Sequence, residues 1–253
     1  VKKTLIICLS IWIVAVAAVL AFQLFDARGI LIILCSFFGL ALLVFSLDFF
    51  VIIKIRKAYK KAAKEDKLPE AYSLFRKIEK MPLTEKERNL VLLNEELCLQ
   101  WMGQTEKAAA IIDKMPLESL KGSMLTPGIY LRKDYALITG NKDLYEEVSA
   151  FQHAKSKEFT PEEKSEELSS RFYFSLLEGF IDPVNEDQAE AIFRSQASLG
   201  RIEKLEWQYI VLLEESIRHM PLIGLESFIQ DSQGTWLADK GAGLAEKASE
   251  DLK

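Results

Sequence analysis

Hydrophobic positions along the chain fall into two regimes. Residues 5–22 are almost unbroken apolar sequence, interrupted only by Ser10, and residues 30–47 form a second such run that continues past Asp48 through Ile53. A helix needs about 20 residues to cross a hydrocarbon core, so each run predicts a membrane span. The link from Gln23 to Gly29 is too short for a domain and suits a tight antiparallel turn. Small residues on both runs (Ala15, Ala18 and Ala21; Ser36, Gly39 and Ala41) would let the two backbones pack closely.

Past residue 66, apolar residues recur at intervals of three and four, and no alternating β-branched run occurs, so helices are predicted throughout. Thr84 with Glu87, and Thr160-Pro161 with Glu163, read as capping boxes. Thr126 stands as a cap before Pro127 in a first turn, and Asn185 with Gln188 is a similar start. Gly103, Gly140 and Gly200 sit where a helix end needs a left-handed residue, and Pro82, Pro116 and Pro221 end helices. The predicted helices are 54–66, 68–80, 84–102, 105–115, 127–139, 142–157, 161–180, 185–199, 201–219 and 222–231, which fall into antiparallel pairs. The 54–66 segment has high helix propensity and no breaker, so the second span is expected to continue as helix beyond the membrane. Residues 232–253 contain Gly234, Gly241 and Gly243 and few bulky side chains. They read as a flexible C-terminal tail, with a last helix pinned by Trp236 as the alternative.

Charge sets the orientation. Lys2 and Lys3 precede the first span, and Lys54, Arg56, Lys57, Lys60, Lys61 and Lys64 follow the second, whereas the turn carries only Arg28, offset by Asp26. Basic excess on both outer flanks predicts a two-span protein of the cell membrane with both termini cytoplasmic. The six basic residues after the second span are also expected to contact anionic lipid, at about 1 kcal/mol each near the surface. Ala15-Val16-Ala17 resembles a signal-peptidase site, but it lies in the middle of the apolar run rather than after it. Asp48, near the cytoplasmic end of its span, reads as an interfacial acid close to Lys54, with a functional role as the alternative. The division expected is thus a transmembrane hairpin (1–53), a basic juxtamembrane helix (54–66), a cytoplasmic helical domain (67–231) and a tail (232–253).

Composition narrows the function classes. Lys and Arg total 32 against 37 Asp and Glu, a balance that argues against nucleic acid as the partner. Cys8, Cys35 and Cys98 form no paired framework and read as small hydrophobes. His153 and His219 have no partner at metal-ligand spacing, and no phosphate loop or nucleophile elbow is present, so neither a cofactor nor catalytic residues are expected. Acidic doublets such as Glu95-Glu96 and Glu214-Glu215 read as solvated faces. The aromatics Trp101, Phe172, Tyr173, Phe174, Phe180, Phe193, Trp207 and Tyr209 recur at helical spacing, as core or as a peptide groove.

One stretch resembles the tetratricopeptide class. Gly103-Gln104-Thr105-Glu106-Lys107-Ala108 with Ile112, and Asp66 with Glu70-Ala71 and Phe75, match the family's turn residue, its charged-plus-small pair and the bulky apolar residue that follows. Asp66, Gly103 and Gly140 lie 37 residues apart. Tyr145 replaces the small residue in the third unit, and the unit from Asn185 to Phe193 lacks the turn glycine. The resemblance implies an all-α fold, a solenoid of α-α hairpins behind the membrane hairpin, with a concave face that binds a protein partner. It places the helices 84–102, 127–139, 161–180 and 201–219 on the inner curve, with Asn94, Arg132, Tyr135, Tyr173 and Trp207 as candidate contacts. The function expected is that of a membrane-anchored scaffold or adaptor. An accessory subunit of a transport, secretion or cell-envelope complex is the alternative, and an unrecognised membrane-associated enzyme is a further one.

The charge pattern predicts that an alkaline phosphatase fused after Lys253 is inactive, while one inserted in the 23–29 turn is active. Activity of the Lys253 fusion in intact cells would contradict the topology.

Overall fold

A computed structural model of the protein describes residues 12–14, 16, 17, 35, 38, 39, 49–62, 67–155, 161–182 and 200–250. Every regular element among them is helical, and no strand occurs among the described residues. The predicted spans at 5–22 and 30–53, Asp48 and the predicted helix at 185–199 lie wholly or largely outside them. Among the described residues no helix is long and apolar enough to cross a membrane.

Residues 49–62 form one uninterrupted helix, α1, that runs from apolar sequence into the basic segment. Val51, Ile55, Ala58 and Ala62 make a buried stripe at helical spacing. They pack on α2 (Leu68–Glu79), whose Leu68, Ala71, Phe75 and Ile78 form the matching stripe. The Thr84–Glu87 capping box starts α3 (Glu85–Trp101): the Glu87 amide donates to the Thr84 hydroxyl at 3.2 Å and the Thr84 amide donates to the Glu87 carboxylate at 2.7 Å. Then follow α4 (Thr105–Lys114), α5 (Leu125–Thr139), α6 (Lys142–Lys155), α7 (Pro161–Leu177), α8 (Arg201–Ile217), α9 (Leu225–Asp231) and α10 (Leu237–Glu250). Helix α5 begins at Leu125, ahead of Thr126, so Pro127 lies inside the first turn, where its missing amide costs no helical bond.

Four helices end on the same kind of turn. At Gly103, Gly140, Gly179 and His219, φ is positive. In each case that residue's amide and the next one close two bonds back onto the helix, with lengths from 2.8 to 3.2 Å. These turns end α3, α5, α7 and α8, and they lie 37, 39 and 40 residues apart. Gly200, expected to be left-handed, is instead the extended N-cap of α8 (φ −63, ψ 177), and the third turn of the series is at Gly179.

Helices α3 and α5 are buried on several sides, because α3 packs against α2, α4 and α5 together. Their contact encloses polar groups. The Arg132 guanidinium pairs with Glu96, the two side chains being 3% and 0% exposed, and donates to the Met115 carbonyl at 2.8 Å. Gln100 donates to Glu96 and to the Leu131 carbonyl, both at 3.0 Å. The Glu95-Glu96 doublet is therefore not a solvated face, as its sequence suggests: both are buried, and Glu95 meets Arg76 at 3.5 Å. Gly128 lets the 117–124 loop reach α5, since a Cβ there would stand 2.2 Å from Leu120 Cδ1.

The stack does not stay open. The Trp236 amide donates to the Trp101 carbonyl at 3.0 Å, and a Cβ on Gly103 would stand 3.1 Å from Trp236 Cα. Trp236, Leu237 and Leu244 join Phe172, Tyr173, Tyr209 and Phe228 in the largest core, while Ile202 of α8 joins the α1–α3 core. The segment expected to be a flexible tail is a packed helix through residue 250, because Trp236 and Leu237 bury it and Gly241 admits the Phe228 ring.

Breaking the α3–α5 pair from one side strands a buried charge. Arg132→Ala should lower the unfolding free energy of the helical domain by about 3–5 kcal/mol, while Glu96→Leu with Arg132→Met stays near the parent. Urea titration of the full chain in detergent, followed by circular dichroism, measures both.

Candidate functional site: an acidic cavity walled by aromatic side chains

Four helix faces and the Trp236 turn converge on a cavity of about 250 Å³. Helix α3 contributes Trp101 at its end. Helix α5 contributes Asp134, Leu137 and Ile138, and α7 contributes Ser169, Ser170 and Tyr173. The α8 face supplies Ile202, Glu203, Glu206, Trp207, Tyr209 and Ile210. The spacing on each helix is three or four residues, so each presents a single stripe. These are the helices that the tetratricopeptide resemblance assigns to an inner curve. Trp236 closes the space from the other side.

The walls are aromatic and apolar, and the polar groups are acids. Tyr173 and Tyr209 meet edge to face at 6.4 Å, and Tyr209 stands at the same distance from Trp236. Glu206 is half-buried and lines the cavity, and burial pushes its carboxyl up to about 8. The neighbouring charges of Asp134 and Glu203 push it the same way. The Trp236 indole acts in the opposite direction, but the two groups do not reach hydrogen-bonding geometry. Among the described residues no basic side chain acts on Glu206. Burial also raises Tyr173, and it raises Tyr209 to about 12, so both phenols stay neutral. Two buried donors, Trp236 Nε1 and Tyr173 Oη, find no hydrogen-bond partner among the described residues, although the side chains are only 8% and 5% exposed. Buried donors of this kind are costly unless something accepts from them.

Of the five candidate contacts, Tyr173 and Trp207 come together at this cavity. The other three do not. Asn94 is half-buried and donates to the Leu90 carbonyl of its own helix at 2.7 Å. Arg132 is enclosed with Glu96 and presents no accessible face. Tyr135 packs beside Leu99, Ala108 and Ile111. Glu206 and Trp236 are additions that the structure makes to the candidates. The signal for Glu206 is its register: it stands four residues after Ile202 and three and four before Tyr209 and Ile210, in the middle of an apolar stripe.

Lys54, Arg56, Lys57 and Lys60 are exposed on α1, off its buried stripe. Lys61 is half-buried and bonded to Glu70, whose carboxyl that contact holds below the usual range, and Lys64 lies outside the described residues. Cys98 is buried, and burial pushes its thiol up to about 12, which makes it a packing residue. His153 and His219 are exposed. Among the described residues no group of His, Cys, Asp and Glu is arranged to hold a metal ion.

No protein family, curated protein or solved structure matches the chain.

The raised Glu206 carboxyl gives a pH signature. Between the ordinary glutamate range and about 8, the folded chain holds a proton that the unfolded chain has released, so stability falls as pH rises through that window. Glu95 and Glu96 share the lower part, since burial raises both to about 7. Glu206→Gln should flatten the fall between pH 7 and 8 and leave the fold at least as stable as the parent at pH 8. Urea midpoints at a series of pH values test this.

Proposed function

We propose that this protein is a membrane-anchored scaffold or adaptor whose helical domain binds a protein partner at the cavity between α3, α5, α7 and α8. The observation that carries the reading is the cavity itself, where aromatic walls surround carboxylates and two buried donors, Trp236 Nε1 and Tyr173 Oη, that no described residue satisfies. Such a site has the composition of a recognition pocket, with large apolar contact area and a few directional groups. The recurrence of one helix-ending turn at nearly equal intervals supports a tetratricopeptide-like stack.

Anchoring by a two-span hairpin with both termini cytoplasmic rests on the apolar runs and the flanking charges. Ile13, Val14, Phe38, Phe49, Phe50, Ile52 and Ile53 add support: each is a large apolar side chain left exposed by the helical domain. Exposure of this kind calls for lipid or a partner. The exposed side chains at 49–53 also favour a second reading, an accessory subunit whose membrane helices touch a larger transport, secretion or cell-envelope complex.

Exchanging residues 1–53 for an unrelated two-span anchor separates the readings. The adaptor retains its co-purifying partner after the exchange, as does a chain with Asn94→Ala. Loss of the partner from a normally inserted exchange variant would favour the subunit. Absence of any specific partner from the parent chain in gentle detergent would sink both.

A further inference from the structure

The first helix pair determines which other part of the domain stands at the membrane. Building on the membrane-anchor reading, we propose that the turn between α2 and α3 is a second membrane contact. Its exposed Lys77, Lys80, Lys86 and Arg88 rest on the anionic lipid headgroups of the leaflet from which α1 emerges.

Helices α1 and α2 double back tightly. The Lys67 amide donates to the Lys61 carbonyl at 2.9 Å, and Lys61 pairs with Glu70, so α2 starts beside the end of α1. Their buried stripes then join one core. At about 1.5 Å per residue, Val51 lies roughly 16 Å before Ala62 on α1, and Ile78 lies roughly 15 Å beyond Leu68 on α2. The end of α2 is therefore back at the level of Val51, and the turn that follows is level with Phe49 and Phe50. Helix α3 packs against α2 and leaves from that turn, so Lys86 and Arg88 in its first turns stand at the same end.

That level is a boundary between two solvents. Val51 is buried in the helical core, yet its neighbours Phe49, Phe50, Ile52 and Ile53 are exposed. A helix with one face in a protein core and its other faces apolar and open stands where lipid takes over from protein. The charges fit the same boundary. Along α1 the basic side chains climb away from it: Lys60 and Lys61 lie roughly 10 Å beyond Lys54, about one Debye length, and Lys61 is tied to Glu70. The α2–α3 turn returns positive charge to the boundary, because Lys77, Lys80, Lys86 and Arg88 are exposed there. Arg76 is held by Glu79 and Glu95, and Glu87 by the Thr84 cap, so Glu85 is the exposed acid of the stretch from 76 to 88. Long basic side chains lay their stems on apolar surface and send their charged ends to phosphates, and an anionic leaflet attracts them. Pro82 at the tip has no amide donor to desolvate. One emerging helix leaves the domain free to tilt, and a second contact beside its axis removes that freedom.

The test uses the full chain in nanodiscs of phosphatidylcholine alone and of phosphatidylcholine with phosphatidylserine. A photoreactive benzophenone side chain replaces Pro82 or, as the control, the exposed Lys107 in the α3–α4 turn. The 17 residues of α3 place that control about 24 Å from the α2–α3 turn. Mass spectrometry counts the adducts formed on illumination. The expected result is at least about fivefold more lipid adduct at 82 than at 107, with a further rise when phosphatidylserine is present. Lys77→Gln, Lys80→Gln, Lys86→Gln and Arg88→Gln together should cut the phosphatidylserine adducts at 82 at least about fivefold and leave the melting temperature unchanged. Equal lipid adducts at 82 and 107 would overturn the proposal, and that comparison needs no charge variant. Yields at 82 that neither phosphatidylserine nor the four substitutions alter would overturn the headgroup contact. Adducts at 82 to a second copy of the chain, in place of lipid, would overturn it in favour of a protein interface. A chain that stays outside the discs sinks the anchor reading and this proposal together, whereas a chain that enters them and reacts equally at 82 and 107 sinks this proposal alone.

Discussion

A single backbone hydrogen bond, from the Trp236 amide to the Trp101 carbonyl, closes the helical domain. The last carbonyls of a helix have no donor within it and need one from elsewhere. Here the donor comes from the far end of the chain. The bond seats Trp236 on the turn at Gly103, which has no Cβ to obstruct it. It brings α10 onto α8 and sets the Trp236 ring against Tyr209. Without it, the stack of hairpins would have two separate ends and the space between α3, α5, α7 and α8 would be a furrow open to water. With it, that space has an end wall.

The two halves of the domain use different means to hold their register. Around α3 and α5 the interface contains Glu96, Arg132 and Gln100, each bonded, and a helix that slid by one turn would leave all of them unsatisfied. Such groups cost desolvation and give little net stability, but they discriminate against wrong pairings. Around α7, α8 and α9 the interface is aromatic: Tyr173, Tyr209, Phe228 and Trp236 meet ring against ring. Ring geometry there sets position with area as well as direction. The polar device holds α3 against α5, and the aromatic one surrounds the cavity.

Helix limits were legible in the sequence because caps and turns are local chemistry. The Thr84–Glu87 box and the turns at Gly103 and Gly140 lie within a few residues of the ends they mark. The turn at His219 was not legible, since nothing in a histidine announces a positive φ. Gly200 misled for the opposite reason: a glycine beside a helix serves as well for an extended N-cap as for a left-handed end. Closure left no local trace, because the Trp236 amide is a backbone group whose partner lies in another helix pair. The site was half visible. Tyr173 and Trp207 stand out by residue type, whereas an acid such as Glu206 looks like any surface glutamate until its register against Ile202 and Tyr209 is considered. Burial of the Glu95-Glu96 doublet was hidden because its neutralising groups, Arg76 and Arg132, belong to other helices.

Helix α1 passes from apolar to basic sequence without a break, and from Val51 onward it is already part of the α2–α3 core. A helix joined in this way is a strut, not a tether. If the chain is anchored through its apolar runs, the domain does not sweep a volume as it would on a glycine- and serine-rich leash. Its cavity is held at one height and one tilt over the bilayer. A partner then meets the site by diffusing in the plane of the membrane or by reaching that fixed height from the aqueous side, and the distance between its own anchor and its recognition residue becomes a selection rule. Inserting a flexible segment between residues 62 and 68 would relax that rule without altering a single contact in the cavity.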